Sequence, residues 1–234
     1  MKILKWILCI LTLLSTILML FVLPDTIPVH FNINGEPDRL GSKYELLLMP
    51  IVLIACALSI DPLTKSYRKK SENTDNEKEK AELLSNAKVL NITGTITMPV
   101  FFIMNLFILY NVYSYVNPDN NLPKFDIMSG VGAIMGITIA VLGNFMPKTR
   151  KNSNIGFRLP WTMYNDVTWR KSNHFASYVL MIAGAIMSIF SFIPEWGMVV
   201  GMVAFFIALT ISIVYAFLVY RQERSKENER NNKE

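Results

Sequence analysis

Trp196–Tyr220 reads WGMVVGMVAFFIALTISIVYAFLVY, a run of 25 residues without one charged side chain. A helix of that length crosses the roughly 30 Å hydrocarbon core of a bilayer, where a backbone with no water to bond must satisfy itself internally. Five runs of the same kind precede it, at about Ile3–Val22, Tyr44–Ile60, Val89–Tyr113, Ile127–Met146 and Phe175–Ile193. The expected fold is an all-α integral membrane protein with six transmembrane helices.

The segments between the runs set the orientation. Of the 23 Lys and Arg, twenty lie at the very start of the chain (Lys2 and Lys5, the latter in the first turn of the first run), between the second and third runs, between the fourth and fifth, and after the sixth, leaving three for the other connections. The positive-inside rule then places both termini in the cytoplasm. The formal charge of +5 sits beside span ends on that one side, where anionic membrane lipid accounts for it, so no direct nucleic-acid binding is expected. The first run is too long for a signal peptide and no small-x-small cleavage site follows it, so it reads as a retained span. Cys9 and Cys56 both fall inside apolar runs, match no metal spacing, and read as packing residues.

The chain divides into a two-span segment (1–64) with an outer loop (24–43), a cytoplasmic linker (65–88), the third span with its outer turn (89–125), a three-span segment (126–220) with a cytoplasmic loop (147–174), and a charged tail (221–234). In the outer loop Pro24 and Pro28 disfavour helix and hold Thr26–Phe31 extended, and Asn34-Gly35 signals a turn, so a short hairpin or compact loop is expected. Ser42-Lys43-Tyr44-Glu45 has the form of a capping box. The linker is expected to be mobile or partly helical. Pro118, Asn120, Asn121 and Pro123 mark the outer turn, and Pro194-Glu195 joins the last two spans. The tail is expected to be disordered beyond its first turn or two. Small residues recurring every four positions (Gly132, Gly136, Ala140; Ala204, Ala208, Ser212, Ala216) mark faces where helices approach closely, and mid-span Asn105 is expected to hydrogen-bond a neighbouring helix.

Chemistry is sparse. No ionisable residue lies mid-span, which weighs against an ion-coupled carrier. The two histidines, His30 and His174, fall on opposite sides. No phosphate loop, nucleophile elbow or pair of intramembrane acids is present, so the reading is non-enzymatic, with no cofactor and no metal. A small-solute or ion transporter and a structural or envelope-stress protein remain as alternatives.

The loop 147–174 is longer and more aromatic than a connector needs, with Trp161, Tyr164 and Trp169 beside basic residues at headgroup level. Asn165 or Asp166 can cap a helix running into the fifth span, and Gly156 supplies a backbone turn. Arg158 has a planar fork suited to loop carbonyls, lipid phosphate or a carboxylate. The loop serves either as an interfacial anchor or as a docking surface.

The stretch Asn152, Gly156-Phe157-Arg158, Pro160-Trp161-Thr162, Trp169 and His174 resembles the signature of the SdpI family of bacterial multi-spanning immunity proteins, over roughly Asp126–Tyr220. It departs from the pattern at Asn173, where Thr is expected. Leu23-Pro24, Ile27–Phe31, Gly35–Asp38 and Gly41-Ser42-Lys43 resemble an uncharacterised membrane domain that often precedes the SdpI domain. The resemblance implies a multi-pass protein of the bacterial cell membrane that protects against an extracellular SdpC-like toxin peptide. It also implies signalling, by holding a cytoplasmic transcriptional repressor at the membrane. Carried over by residue, Asn152, Gly156, Arg158, Trp161, Thr162, Trp169 and His174 form a partner-binding inner site, and Pro28, His30, Gly35, Asp38 and Lys43 form the outer-loop motif.

Overall fold

The computed structural model describes residues 2–119, 123, 125–152, 154–193 and 195–232. Asn120, Asn121 and Pro194, read above as turn residues, lie outside them. Among the described residues six helices are long and apolar enough to cross a membrane. They are α1 (Lys2–Val22), α2 (Leu48–Glu72), α3 (Glu77–Val116), α4 (Ile127–Phe145), α5 (Asp166–Phe190) and α6 (Gly197–Asn231). Between α1 and α2 stand two antiparallel strands, β1 (Thr26–Phe31) and β2 (Pro37–Ser42), and a short 3-10 helix, Lys43–Leu47. The hairpin marks one end of the bundle. The Lys- and Arg-rich connections mark the other, called here the basic end.

Helix α3 packs on α1 and α2 to make one half, α5 packs most extensively on α4 and α6 to make the other, and α3 meets α4 between them. The small residues act where close approach requires them. A Cβ placed on Gly136 would lie 2.5 Å from the Gly184 carbonyl oxygen, and one on Gly184 2.5 Å from that of Gly136, so α4 and α5 touch backbone to backbone. Ala208, Ser212 and Ala216 form the buried stripe of α6. Asn105 is buried and reaches α1, accepting from Thr16 Oγ1 (3.3 Å) and donating to Ser15 Oγ (3.2 Å).

Two stretches are more ordered than their composition suggests. The 61–88 connector is helical apart from 73–76. Asn76 caps α3 by accepting from Lys78 N (3.0 Å) and Glu79 N (3.2 Å), and Tyr67 of α2 packs with Ala87 and Leu90 of α3. The tail likewise stays helical to Asn231, because Glu223 accepts from Lys171 (3.3 Å) and Lys226 (3.2 Å) and the Tyr164 hydroxyl donates to Glu227. Ser42 caps only the 3-10 turn, accepting from Tyr44 N, while Glu45 pairs with Arg39 (2.8 Å). At 40 residues α3 is about 60 Å long, twice the hydrocarbon core, and stands well clear of it at the basic end.

Two ionisable residues meet inside the basic end. Lys5 of α1 is fully buried and forms an ion pair with Asp61 of α2. Cys9, also buried, and half-buried Cys56 are free thiols on the same two helices.

Candidate functional site

The residues singled out from sequence gather at both ends of the molecule, and α3 runs between them. At the hairpin end, Gly35 takes φ +77° in a turn in which the Asn32 side chain accepts from Asn34 N (2.9 Å) and Glu36 N (3.0 Å). That conformation favours glycine, which has no Cβ to clash. A lone two-stranded hairpin is marginal in water. This one is anchored by Ile27, wholly buried against Leu23 and Val112, which contributes about 2 kcal/mol. Lys43 fastens its base, donating to the Leu23 carbonyl (3.3 Å) and pairing with Asp25 (3.0 Å). His30 and Asp38 join across the strands at 2.5 Å, both exposed. Pro28 stands opposite Leu40. Gly35, Lys43, His30 and Asp38 thus build the hairpin, and Pro28 and His30 also line what lies under it.

Beneath the hairpin is a cavity of about 570 Å³. Its floor is α3 (Asn105, Ile108, Val112), its walls are α2 (Met49, Val52) and α4 (Met128, Val131), and its roof is the hairpin. The lining is apolar apart from Asn105 at depth and Arg39, Glu45 and His30 at the rim. Such a shape accepts an apolar segment whose polar end remains at the rim. Sequence reasoning placed Asn105 mid-span but did not find the groove, because its lining comes from the hairpin and three separate helices.

At the basic end the loop after α4 folds into a plug. Asn152 Oδ1 accepts from Asn154 N and Ile155 N (both 2.8 Å) and from the Tyr67 hydroxyl (3.2 Å). Gly156 has φ +112°, and a Cβ there would sit 2.7 Å from the Trp169 ring and 2.8 Å from Asn173 Oδ1. Trp169 is 2% exposed and donates Nε1–H to the Thr149 carbonyl (3.1 Å). Thr162, fully buried, accepts from Leu159 N (2.8 Å) and donates back to the loop. Of the two capping residues the sequence offered, Asn165 caps α5, in a reciprocal capping box with Thr168, and Asp166 is its first helical residue. Trp161 lays its edge on Phe217 of α6 at 5.8 Å, and Tyr164 on Tyr220 at 5.1 Å. The Glu227 carboxylate beside the Tyr164 hydroxyl pushes that phenol above its ordinary value.

The inner list therefore divides. Asn152, Gly156, Thr162 and Trp169 hold the plug together, and Trp161 fixes it to α6. Arg158 and His174 are exposed, and among the described residues neither forms an ion pair. Three residues that sequence reasoning left out of the site complete the plug. Asn173, noted only as a departure from a pattern, accepts from Phe157 N (2.7 Å) and donates to the Trp169 carbonyl (3.1 Å). Asn86 of α3 accepts from Arg150 N (2.9 Å), and Tyr67 of α2 reaches Asn152 and Asn154. The available signal was polar residues inside otherwise helical stretches, which need partners once buried.

Comparison with known proteins covers both ends. The SdpI/YfhL protein family matches residues 148–220. The matched stretch takes in the plug and the two helices after it. A domain of unknown function, DUF1648, matches residues 7–54 and encloses the hairpin. Immunity protein SdpI of Bacillus subtilis is 27% identical over 215 residues, covering 91% of this chain and 92% of that one. An uncharacterised protein of Archaeoglobus fulgidus is 49% identical over 43 residues, 18% of this chain and 24% of its own. No solved structure matches.

Proposed function

We propose that this chain is a membrane immunity protein of the bacterial plasma membrane, without enzymatic activity, that protects its cell from an extracellular SdpC-like toxin peptide. The observation that carries this reading is the similarity to Immunity protein SdpI along 91% of the chain, hairpin and plug included. The groove beneath the hairpin supports it physically. It offers an amphipathic peptide about 570 Å³ of apolar space at outer-bilayer depth, with polar groups at the rim. With the basic end in the cytoplasm, as the charge partition places it, the hairpin faces the side from which the toxin arrives.

Signalling to a cytoplasmic repressor is the finer part of the proposal. Helix α3 contributes Asn105, Ile108 and Val112 to the groove and Asn86 to the plug. A toxin that binds one arrangement of α3 better than another shifts the plug by that difference in affinity. Arg158, exposed on the plug, is the side chain offered to the repressor.

The test is a photo-crosslinking amino acid at Met128, in the groove, and separately at Phe206, on the lipid-facing side of α6. A toxin adduct at Met128 and none at Phe206 is the expected result. Equal labelling at both, or none at Met128 while the cells remain protected, removes the groove from the account.

A further inference from the structure

We infer that the basic end carries a binding site for the phosphate headgroup of an anionic phospholipid, in a pocket of about 380 Å³ between the start of α3, the turn after α4 and the start of α5. The pocket is separate from the groove and does not depend on the immunity reading. Lys78, Lys148, Arg150, Lys151 and Arg170 line it, with Glu82 and Asp166 as its acids. Lys78 and Asp166 pair with each other at 3.2 Å. That leaves four cations facing Glu82, and among the described residues none of the four forms an ion pair. Converging cations repel one another, and a phosphate accepting hydrogen bonds from two arginines removes that repulsion.

The backbone that carries these cations is held at three successive residues. Ser85 donates to the Lys148 carbonyl (3.3 Å), Trp169 Nε1 to the Thr149 carbonyl (3.1 Å), and Arg150 N to Asn86 (2.9 Å). The loop is therefore built before any ligand arrives, which lowers the ordering cost of binding. Depth argues for a lipid over a soluble phosphate. Lys148 lies over the Phe145 ring at 4.6 Å, at the end of α4, and His174, also on the lining, directly precedes the apolar stretch of α5. Both ends of the pocket floor thus sit where headgroups lie.

The test uses the full chain in detergent, titrated with phosphatidylglycerol, phosphatidylcholine or inorganic phosphate, reading bound lipid and thermal transition. Phosphatidylglycerol is expected to bind and to raise the transition where the other two do not. Arg150→Gln with Arg170→Gln is expected to weaken binding about 30-fold, about fivefold per cation. Lys69→Gln with Lys70→Gln, an equal loss of charge at the end of α2, is the control and is expected to leave it nearly unchanged. Equal retention of the two lipids, equal losses in both double variants, or stabilisation by inorganic phosphate without phosphatidylglycerol each overturns the assignment.

Discussion

Gly156→Ala is the sharpest test of how the plug is held. The new Cβ would lie 2.7 Å from the Trp169 ring and 2.8 Å from Asn173 Oδ1, at a φ of +112° that L side chains rarely adopt. The backbone strain costs about 1–3 kcal/mol, and forcing a methyl group against a buried ring costs about 1–3 more. Set against this are the bonds from Asn152, Thr162, Trp169, Asn173, Asn86 and Tyr67 that hold the loop. At about 0.5–1.5 kcal/mol each they total roughly 3–9 kcal/mol, so the two terms are comparable. The plug is therefore expected to open while the spans, which do not depend on it, remain packed. Limited trypsin digestion of the protein in detergent should cut after Lys151 or Arg158 at least tenfold faster in the variant, with far-ultraviolet circular dichroism unchanged. Tryptophan emission should shift to the red as Trp169 gains water. Unchanged cleavage and emission would refute the reasoning that Gly156 is the position on which the plug closes.

Other outcomes follow from the same contacts. Asn173→Ala leaves the Phe157 N–H without its acceptor and removes the side-chain bond to the Trp169 carbonyl, and should cost about 1–3 kcal/mol, read as a lower thermal transition. Lys5→Met alone leaves Asp61 unpaired inside the bundle and should cost about 3–5 kcal/mol, whereas Lys5→Met with Asp61→Leu should recover most of it; a double variant no better than the single would contradict the pairing. Lys43→Met unfastens the base of the hairpin, so amide exchange in Thr26–Phe31 should quicken while α4 to α6 stay unchanged.

The spans were legible because lipid imposes so strict a rule on the backbone: runs such as Trp196–Tyr220 have no other stable reading. The hairpin was legible from Pro28 and Asn34-Gly35, whose backbone preferences are local, and the α5 cap from Asn165 for the same reason. What stayed hidden depends on tertiary partners. The 61–88 connector looks like a solvated linker because its composition is polar, yet Tyr67 and Asn86 sit there to receive a loop about 65 to 85 residues downstream. The tail looks disordered until Lys171 and Tyr164 come alongside Glu223 and Glu227. Trp169 is buried and bonded to the Thr149 carbonyl, Gly156 is exposed but lies close against the Trp169 ring, and the groove under the hairpin emerged only when α2, α3 and α4 were brought together.

The central claim is protection, and survival measures it most directly. A toxin-sensitive bacterium expressing this chain is challenged with an SdpC-type toxin peptide, beside cells expressing Val131→Trp, which fills the groove. The account predicts that the wild-type chain protects and that the filled variant, at equal membrane abundance, does not. Death of both populations with the wild-type chain present in the membrane, or equal survival of both, would contradict it.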